Sequence, residues 1–164
     1  PDEIKIKYTV TETVAQINTM AGGVELFTGE AVGYIDSTTG FTTGASYAVM
    51  REDGLGELTI PAGAKITNGF YYVNTTFQSA TDAATIALGV ETDAATGLKI
   101  ATAISTGTTW DASATATLLT PVVANPSTWT AAATAERRII YTLAGSEDLT
   151  AGKLRIYIKY VVVA

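Results

Sequence analysis

Apolar and polar side chains alternate along most of this chain, and turn residues interrupt the alternation at short intervals. In residues 4–10, IKIKYTV, almost every second side chain is apolar. Because neighbouring side chains of a β-strand point to opposite faces, a period of two is typical of a half-buried strand. The same pattern predicts strands at residues 13–20, 24–27, 31–35, 46–50, 57–60, 66–77, 85–92, 115–123 and 138–144 and in the run from residue 154. Strands at this spacing indicate an all-β fold, a sandwich or a barrel.

Helical spacing is confined to one weak candidate. In residues 93–105, Leu98, Ile100 and Ile104 are partly in phase with a helix, but threonine and glycine oppose one. The chain also lacks an interdomain linker, because the polar segments 105–114 and 125–134 are better explained as long loops. We therefore predict a single domain over residues 1–164 with at most one short helix. A chain of this length buries roughly 70% of its unfolded surface and needs no disulfides to hold a core.

Charge is sparse and evenly spread. Charged residues make up 16% of the chain, the formal net charge is −6 and the sequence pI is about 4.5. The lysines are scattered, whereas nucleic-acid binding depends on clustered cations that neutralise phosphates, so we expect no nucleic-acid partner. No apolar run approaches the ~20 residues that span a bilayer, and nothing at the N-terminus resembles a signal peptide. We therefore expect no membrane association and synthesis in the cytoplasm.

The chain contains neither cysteine nor histidine. Structural zinc sites, thiol proteases, Ser-His-Asp hydrolases and thioredoxin-type redox centres all require one or both of these residues. A histidine-based pH switch is excluded for the same reason. We predict that the protein is not an enzyme and uses no cofactor and no metal.

The pentapeptide TDAAT occurs twice, at Thr81–Thr85 and Thr92–Thr96, on either side of a short apolar run. An aspartate among small residues hydrogen-bonds backbone amides in turns, so two similar turns flanking one strand explain the duplication. Calcium is the alternative, because carboxylates suit a hard cation. Calcium loops concentrate several oxygen ligands, however, and each copy offers a single aspartate, so we favour the turns.

Residues 51–57, REDGLGE, contain a GxG motif. A phosphate-binding loop needs a following helix and a third glycine, whereas the residues after Glu57 resemble a strand, so we predict a tight hairpin. Glycoside hydrolysis stays open in principle, because it needs only two carboxylates. The candidates are Glu25, Glu30, Glu52, Asp53, Glu57 and Asp111, and nothing in the sequence pairs any two of them.

Aromatic residues supply the candidate contact sites. Each long polar loop contains one tryptophan, Trp110 and Trp129. A loop tryptophan can fill an open end of a sandwich, anchor a protein interface or stack on a sugar ring, and we retain all three alternatives. Trp110, Trp129 and Phe41 are our candidate interface or ligand contacts. In the run 69–73, GFYYV, Phe70 and Tyr72 face one way and Tyr71 the other, so both faces must be partly covered.

From Glu57 onward the chain resembles small virion proteins of tailed bacteriophages, namely head decoration or cement proteins and related accessory proteins. The resemblance covers about two thirds of the chain and follows a strand, a PAGA turn, an aromatic strand, a strand ending in Gly-Val, and a closing AGKL strand. The segments that carry it are residues 58–66, LTIPAGAKI, 73–77, VNTTF, 84–90, ATIALGV, 92–98, TDAATGL, and 149–160, LTAGKLRIYIKY.

This resemblance implies a two-layer antiparallel β-sandwich, jelly-roll-like, that binds the outside of a capsid lattice and stabilises it. It implies the major capsid protein and other copies of this chain, as a homotrimer, as partners, and the capsid surface of the virion as the location. No catalytic residue transfers, because such proteins act through contact area. The alternative is a glycan- or receptor-binding module of a phage fibre or tail that uses Trp110 and Trp129. Whether residues 1–20 form a strand or arm exchanged between subunits is left open.

Overall fold

The computed structural model describes residues 27–37, 41–91, 94–121, 127–130, 132 and 134–162. The strands predicted at residues 4–10 and 13–20, and all but the last residue of the strand predicted at 24–27, lie outside these ranges. The question of exchange for residues 1–20 lies outside them as well. The described elements are β1 (Phe27–Asp36), β2 (Ser46–Ala48), β3 (Met50–Arg51), β4 (Thr59–Ile60), β5 (Ala64–Ser79), β6 (Thr85–Val90), β7 (Ala94–Ala103), β8 (Thr117–Leu118), α1 (Ser127–Thr130), β9 (Arg137–Ala144) and β10 (Leu149–Val162).

The strands form two sheets in which neighbouring strands are antiparallel. Sheet A has the order β3-β1-β10-β5-β8, and sheet B has the order β2-β9-β6-β7, with β4 also paired to β9. The longest pairing joins β5 and β10, from Leu149 opposite Ser79 to Val162 opposite Ala64. The prediction of a two-layer antiparallel β-sandwich is confirmed, and its one described helical element is the single turn α1.

The core lies between the two sheets and is built from every second residue of the long strands. Sheet A contributes Tyr71 and Ile156, and sheet B contributes Leu88 and Ile139, all of them buried. Each aliphatic side chain buried in this way contributes roughly 1.5–3 kcal/mol relative to an exposed one. The alternation in the sequence therefore records which side of each strand faces the other sheet.

The weak helical alternative for residues 93–105 is not realised, because most of this stretch is strand β7. Leu98 is buried in the core while Ile100, two positions further on, is 57% exposed. The alternation is interrupted here by a register shift in the pairing of β7 with β6, between Lys99 and Thr102. Thr102 pairs with Ile86, and Lys99 with Leu88, so hydrogen bonding to β6 outweighs the weak helical spacing. Of the strand predicted at residues 115–123, positions 122 and 123 lie outside the described ranges, and among residues 115–121 only Thr117–Leu118 pairs with β5.

One strand predicted as continuous, residues 46–50, is divided between the two sheets. Ser46–Ala48 pairs with β9 of sheet B, and Met50–Arg51 pairs with β1 of sheet A. Val49, which lies between them, is completely buried. Its N–H donates to the Ile139 carbonyl at 2.9 Å, and its own carbonyl accepts from the Leu58 N–H at 2.7 Å. The backbone therefore crosses from one layer to the other at Val49.

The first TDAAT copy and the GxG motif adopt the predicted turns, whereas the described residues of the second copy, Ala94–Thr96, belong to β7. Asp82, in the first TDAAT copy, has a φ of 57°, and its carboxylate accepts a hydrogen bond from the Ser79 N–H at 3.2 Å. In the second copy Thr92 and Asp93 lie outside the described ranges. The GxG motif is the hairpin between β3 and β4, closed by the Arg51 N–H donating to the Gly56 carbonyl at 2.8 Å.

Candidate protein interface

Two rows of large side chains cross the solvent-facing side of sheet A. In the first row, Val32 pairs with Tyr157, Tyr157 with Phe70, and Phe70 with Leu118. Directly paired residues of antiparallel strands point to the same face, so these four side chains share one surface. In β1 the intervening residues Ala31 and Gly33 are buried, which confirms that Val32 points away from the core.

The second row lies beside the first, two residues further along each strand. Met50 pairs with Tyr34, Tyr34 with Arg155, and Arg155 with Tyr72. Together the rows span all five strands of sheet A, which at a spacing of about 4.8 Å corresponds to roughly 19 Å. We call this surface the outer aromatic face; it consists of Val32, Tyr34, Met50, Phe70, Tyr72, Leu118, Arg155 and Tyr157.

Ring contacts order the centre of the outer aromatic face. The rings of Phe70 and Tyr157 stack with centroids 4.7 Å apart and an interplanar angle of 16°. Tyr72 meets Phe70 edge-on at 5.7 Å and Tyr157 edge-on at 6.1 Å. Aromatic pairs of this kind contribute about 0.5–1.5 kcal/mol beyond the area they bury. The three rings therefore hold one another in fixed orientations before any partner arrives.

The outer aromatic face is exposed despite its apolar composition. Leu118 is 65% exposed, Tyr34 and Met50 are each 37% exposed, and the rings of Phe70 and Tyr157 are half-buried. Interface cores are enriched in tyrosine, phenylalanine, methionine and arginine and depleted in lysine and acids. The composition of this face matches that of a protein-binding surface.

Two of the cations on and beside this face form ion pairs. The guanidinium of Arg155 forms an ion pair with Glu52 and lies 3.4 Å from the Tyr157 hydroxyl. The Tyr157 hydroxyl has the largest effect and Glu52 a smaller one, and both raise the pKa of Arg155, so its guanidinium stays charged. At one border Lys153 pairs with Asp36 at 2.8 Å. These two ion pairs therefore leave little net charge at Arg155 and Lys153.

Trp110 lies in the interior of the sandwich and is completely buried. Its ring stacks on Tyr71 at 5.6 Å and meets Phe77 edge-on at 5.7 Å, and its indole N–H donates to the Thr102 carbonyl at 3.1 Å. Of the alternatives raised by the sequence, filling the open end of the sandwich accounts for this position. In this arrangement the ring offers no surface to a ligand, and a contact with a partner stays an untested prediction.

Trp129 and Phe41 also pack against other parts of the chain. Trp129 is on α1, is almost completely buried, and donates its indole N–H to the Gly97 carbonyl of β7 at 3.0 Å. Phe41 is partly buried against Tyr47 at 4.7 Å and Tyr141 at 5.4 Å. Both tryptophans therefore contact β7, whereas Phe41 packs against β2 and β9. Their roles in binding remain predictions, and the outer aromatic face was missed except for the shared side of Phe70 and Tyr72.

The carboxylate candidates are mostly engaged with arginine. Asp53 pairs with Arg51 at 2.5 Å, Glu57 with Arg138 at 3.0 Å, and Glu52 with Arg155. The pKa of Asp53 is lowered, first by the Leu55 N–H and then by Arg51, whereas a general acid needs a raised pKa. Glu30 borders a cavity beside β1, Asp111 borders another beside β5, and Glu25 lies outside the described residues.

Within the described ranges, no three acidic residues gather closely enough to hold a metal ion. Among the same residues no helix is long and apolar enough to cross a membrane.

Comparison with solved structures shows that this fold occurs in bacteriophage capsids. A chain from the cyanophage Pam1 capsid asymmetric unit is similar over 99% of this chain and 97% of its own, with a TM-score of 0.53 and 18% identity. A chain from the capsid of Ralstonia phage GP4 is similar over 85% of both chains, with a TM-score of 0.54 and 14% identity.

A third chain, from the acidic stable capsid structure of Helicobacter pylori bacteriophage KHP30, is similar over 84% of this chain and 89% of its own. Its TM-score is 0.53 and its identity is 12%. No protein-family model matches the chain, and no curated protein is significantly similar to it. The comparisons therefore establish a shared fold with chains of phage capsid structures.

Proposed function

We propose that this protein is a structural component of a tailed-phage virion that binds the outside of the capsid lattice and stabilises it. The observation that carries the proposal is the fold shared with chains of three phage capsid structures over 84–99% of this chain. The resemblance of residues 57–160 to decoration and cement proteins supports the finer assignment. The protein acts by binding, without catalysis, and associates with the major capsid protein and with itself as a homotrimer.

The outer aromatic face is the surface that contacts the capsid protein in this proposal. A standard interface buries ~800 Å² and about 20–30 residues on each partner, so residues beyond the eight of the outer aromatic face join the contact. Ordered aromatic rings lose little conformational freedom on binding, which favours affinity per unit area. Many copies on one lattice add avidity, so that each contact need not be strong by itself. The complementary surface is an apolar, uncharged patch of the capsid protein.

Glycan binding through Trp110 and Trp129 receives no specific support. Stacking on a sugar requires an exposed ring, and both rings are buried among the described residues.

Purified virus particles provide the test of location. Mass spectrometry should detect the protein in particles, and imaging should place it on the outer surface of the head. Heating particles with and without the protein should then release the genome at a lower temperature when the protein is absent. Detection in the tail or fibre, or equal heat resistance, would contradict the decoration assignment.

Matched substitutions test the contact surface. Leu118→Asp places a charge on the outer aromatic face, and Ile100→Asp places one at a similarly exposed position of sheet B. Because a charge buried in an apolar contact is costly, we expect Leu118→Asp to weaken co-sedimentation with capsid shells about tenfold or more. Ile100→Asp should bind like the parent chain. Equal losses in both variants would assign the binding surface elsewhere.

A further inference from the structure

Strand β1 has an open edge along its first half. On one side its whole length pairs with β10. On the other side β3 pairs only with Gly33 and Tyr34, and just beyond them the Glu52 N–H donates to the Val32 carbonyl at 3.2 Å. Within the described ranges no strand lies beside residues 27–31 on this side. Because an unpaired edge is a template for another strand, this half of β1 is a pairing site.

Two residues of this half direct their backbone groups to the open side. The Val32 carbonyl points towards β3, and along an antiparallel strand every second residue directs its N–H and C=O to the same side. The pairing of β1 with β10 runs without a register shift, so Glu30 and Thr28 face the same way as Val32. Two N–H groups and two carbonyl groups are therefore directed towards the open side.

Other edges of the sandwich are covered. On β7, the carbonyls of Thr102 and Gly97 accept hydrogen bonds from the two tryptophans. On β5, the Gly69 carbonyl accepts from the Leu119 N–H at 2.9 Å, and the segment around residue 113 covers the strand further along. Since proteins protect their sheet edges, the open half of β1 indicates that a further segment covers it.

A cavity of about 570 Å³ lies beside this open edge, and we call it the β1 groove. Its inner wall contains Ala31 and Leu58, which belong to the core, and Tyr160, which packs against the core. Its outer rim consists of Glu30, on the same side of β1 as Val32, and the charged side chains of residues 51–53. A strand laid along β1 would direct alternate side chains to an apolar wall and to a charged rim.

The rim of the β1 groove is acidic. Its carboxylates are those of Glu30, Glu52 and Asp53, and its one cation is Arg51. Asp53 pairs with Arg51, and Glu52 pairs with an arginine of β10. Glu30 forms no ion pair with another described residue, and Lys159, opposite it on β10, lies on the side of β1 away from the groove. The rim therefore favours a strand that places a cation beside Glu30.

Residues 4–10, IKIKYTV, lie outside the described ranges and carry the matching pattern. Every second residue is apolar, and the positions between them include Lys5 and Lys7. The other strand predicted before β1, residues 13–20, contains no charged residue. The link between the segment and β1, residues 11–26, can extend over about 50 Å, so the segment can fold back onto the neighbouring edge.

We infer that residues 4–10 dock in the β1 groove of their own chain, as an added strand of sheet A paired with the first half of β1. Backbone hydrogen bonds to Thr28 and Glu30 supply affinity, and the alternation of apolar wall and acidic rim supplies specificity. The short link keeps the segment at a high local concentration, which favours the same molecule over a second copy. The inference goes beyond the proposed function and does not depend on it.

Disulfide formation tests the docking directly, because the natural chain contains no cysteine. Glu30→Cys is combined with Lys5→Cys in one variant and with Lys7→Cys in another, so that either register is detected. The control combines Lys7→Cys with Leu118→Cys, at the opposite edge of sheet A, where Leu118 is 65% exposed. Under mild oxidation we expect an intramolecular disulfide to form at least tenfold faster in one of the Glu30→Cys variants than in the control, since paired strands place opposite Cβ atoms within disulfide reach.

Equal or faster cross-linking of the control would indicate random collision and would overturn the inference. Covalent dimers in place of the intramolecular disulfide would show that the segment enters a second copy, which would overturn the assignment to the same molecule. Both products are distinguished by mass on a non-reducing gel. The measurement uses purified protein without particles, so its failure is distinct from failure of the virion assignment.

Amide hydrogen exchange supplies the second measurement, on the full-length chain. We expect the N–H groups of Thr28 and Glu30 to be protected, and the double substitution Ile4→Asp and Ile6→Asp to speed their exchange about tenfold or more. The Ala31 N–H, which faces β10, should exchange at the parent rate. Unprotected Thr28 and Glu30 amides in the parent, protection insensitive to the substitutions, or an equal increase at Ala31 would overturn the inference.

Discussion

The indole N–H of Trp110 donates a hydrogen bond to the carbonyl oxygen of Thr102, which belongs to strand β7. Trp129 makes the same kind of contact with Gly97 on the same strand. In the described part of sheet B, β7 has a strand partner on one side only, β6. The two tryptophans therefore bind the backbone of an edge strand as well as filling space between the sheets.

Trp110→Ala should destabilise the protein strongly, because it removes the largest completely buried side chain and its hydrogen bond. We expect a loss of about 3–5 kcal/mol in the free energy of unfolding, measured by urea denaturation. Trp110→Phe should cost less, since it leaves the Thr102 carbonyl without its donor but retains most of the volume. Leu118→Ala, on the surface, should stay within about 0.5 kcal/mol of the parent. A stable Trp110→Ala variant that loses only partner binding would contradict the structural role.

Gly152→Ala should also destabilise the protein. Gly152 has a φ of 141°, and a Cβ atom there would lie 2.2 Å from the Phe77 ring. Backbone strain and overpacking together should cost about 2 kcal/mol or more. Gly54→Ala is the matched control, because Gly54 has a φ of 70° but open space around it. Thermal unfolding of both variants separates the two effects, and equal losses would show that the ring contact is unimportant.

Glu147→Gln should make the melting temperature of the protein less dependent on pH between pH 4.5 and pH 2. The Glu147 carboxylate accepts hydrogen bonds from the hydroxyls of Thr81 and Ser79 and from the Thr81 N–H, which lower its pKa from 4.5 to about 2. A carboxyl with a lowered folded-state pKa stabilises the protein fully above pH 4.5, and this contribution is lost as the pH falls towards 2. Melting temperatures between pH 7 and pH 2 provide the measurement.

The parent should therefore lose its advantage over Glu147→Gln in that acid window. Glu136→Gln, which changes an exposed glutamate, should follow the parent curve throughout. Parallel curves for the parent and Glu147→Gln would show that the hydrogen bonds from Ser79 and Thr81 to the Glu147 carboxylate do not stabilise the folded chain.

Lys99→Met should raise the melting temperature at pH 7. Burial lowers the pKa of Lys99, so the folded chain binds fewer protons than the unfolded chain as the pH approaches 10.5. The cost of burying the charge is present at low pH and is relieved as the pH rises, so the advantage of Lys99→Met should narrow towards pH 10.5. Lys159→Met provides an exposed control.

A melting temperature for Lys99→Met below that of the parent at pH 7 would contradict this prediction. The ammonium lies 5.4 Å from the Trp110 ring centroid and 6.0 Å from that of Tyr71. That outcome would mean that attraction between the cation and the rings exceeds the cost of its burial.

The sequence predicted the layers well because each strand carries its own pattern. The alternation through Phe70, Tyr71 and Tyr72 placed Tyr71 on one face and the other two rings on the opposite face, as observed. The stretch that became β7 carried no such pattern, because its small and hydroxyl-bearing residues fit several structures and its strand form depends on pairing with β6.

The outer aromatic face could not be predicted for a different reason. Phe70 and Tyr157 are 87 positions apart, and only the register of β5 against β10 places them opposite each other. Local periodicity gives the face of the sheet on which a side chain lies, but it does not give the residue that lies opposite on the adjacent strand. The buried positions of Trp110 and Trp129 likewise depend on the carbonyl groups of β7, which no sequence pattern marks.

The passage of the backbone through Val49 has a mechanical consequence. Since Ser46–Ala48 is bonded into one sheet and Met50–Arg51 into the other, a pull on one layer reaches the other through covalent bonds. Sliding the layers apart would require extracting the completely enclosed Val49 and breaking its bonds to Ile139 and Leu58. At this edge, a force that slides one sheet against the other therefore acts on both sheets together.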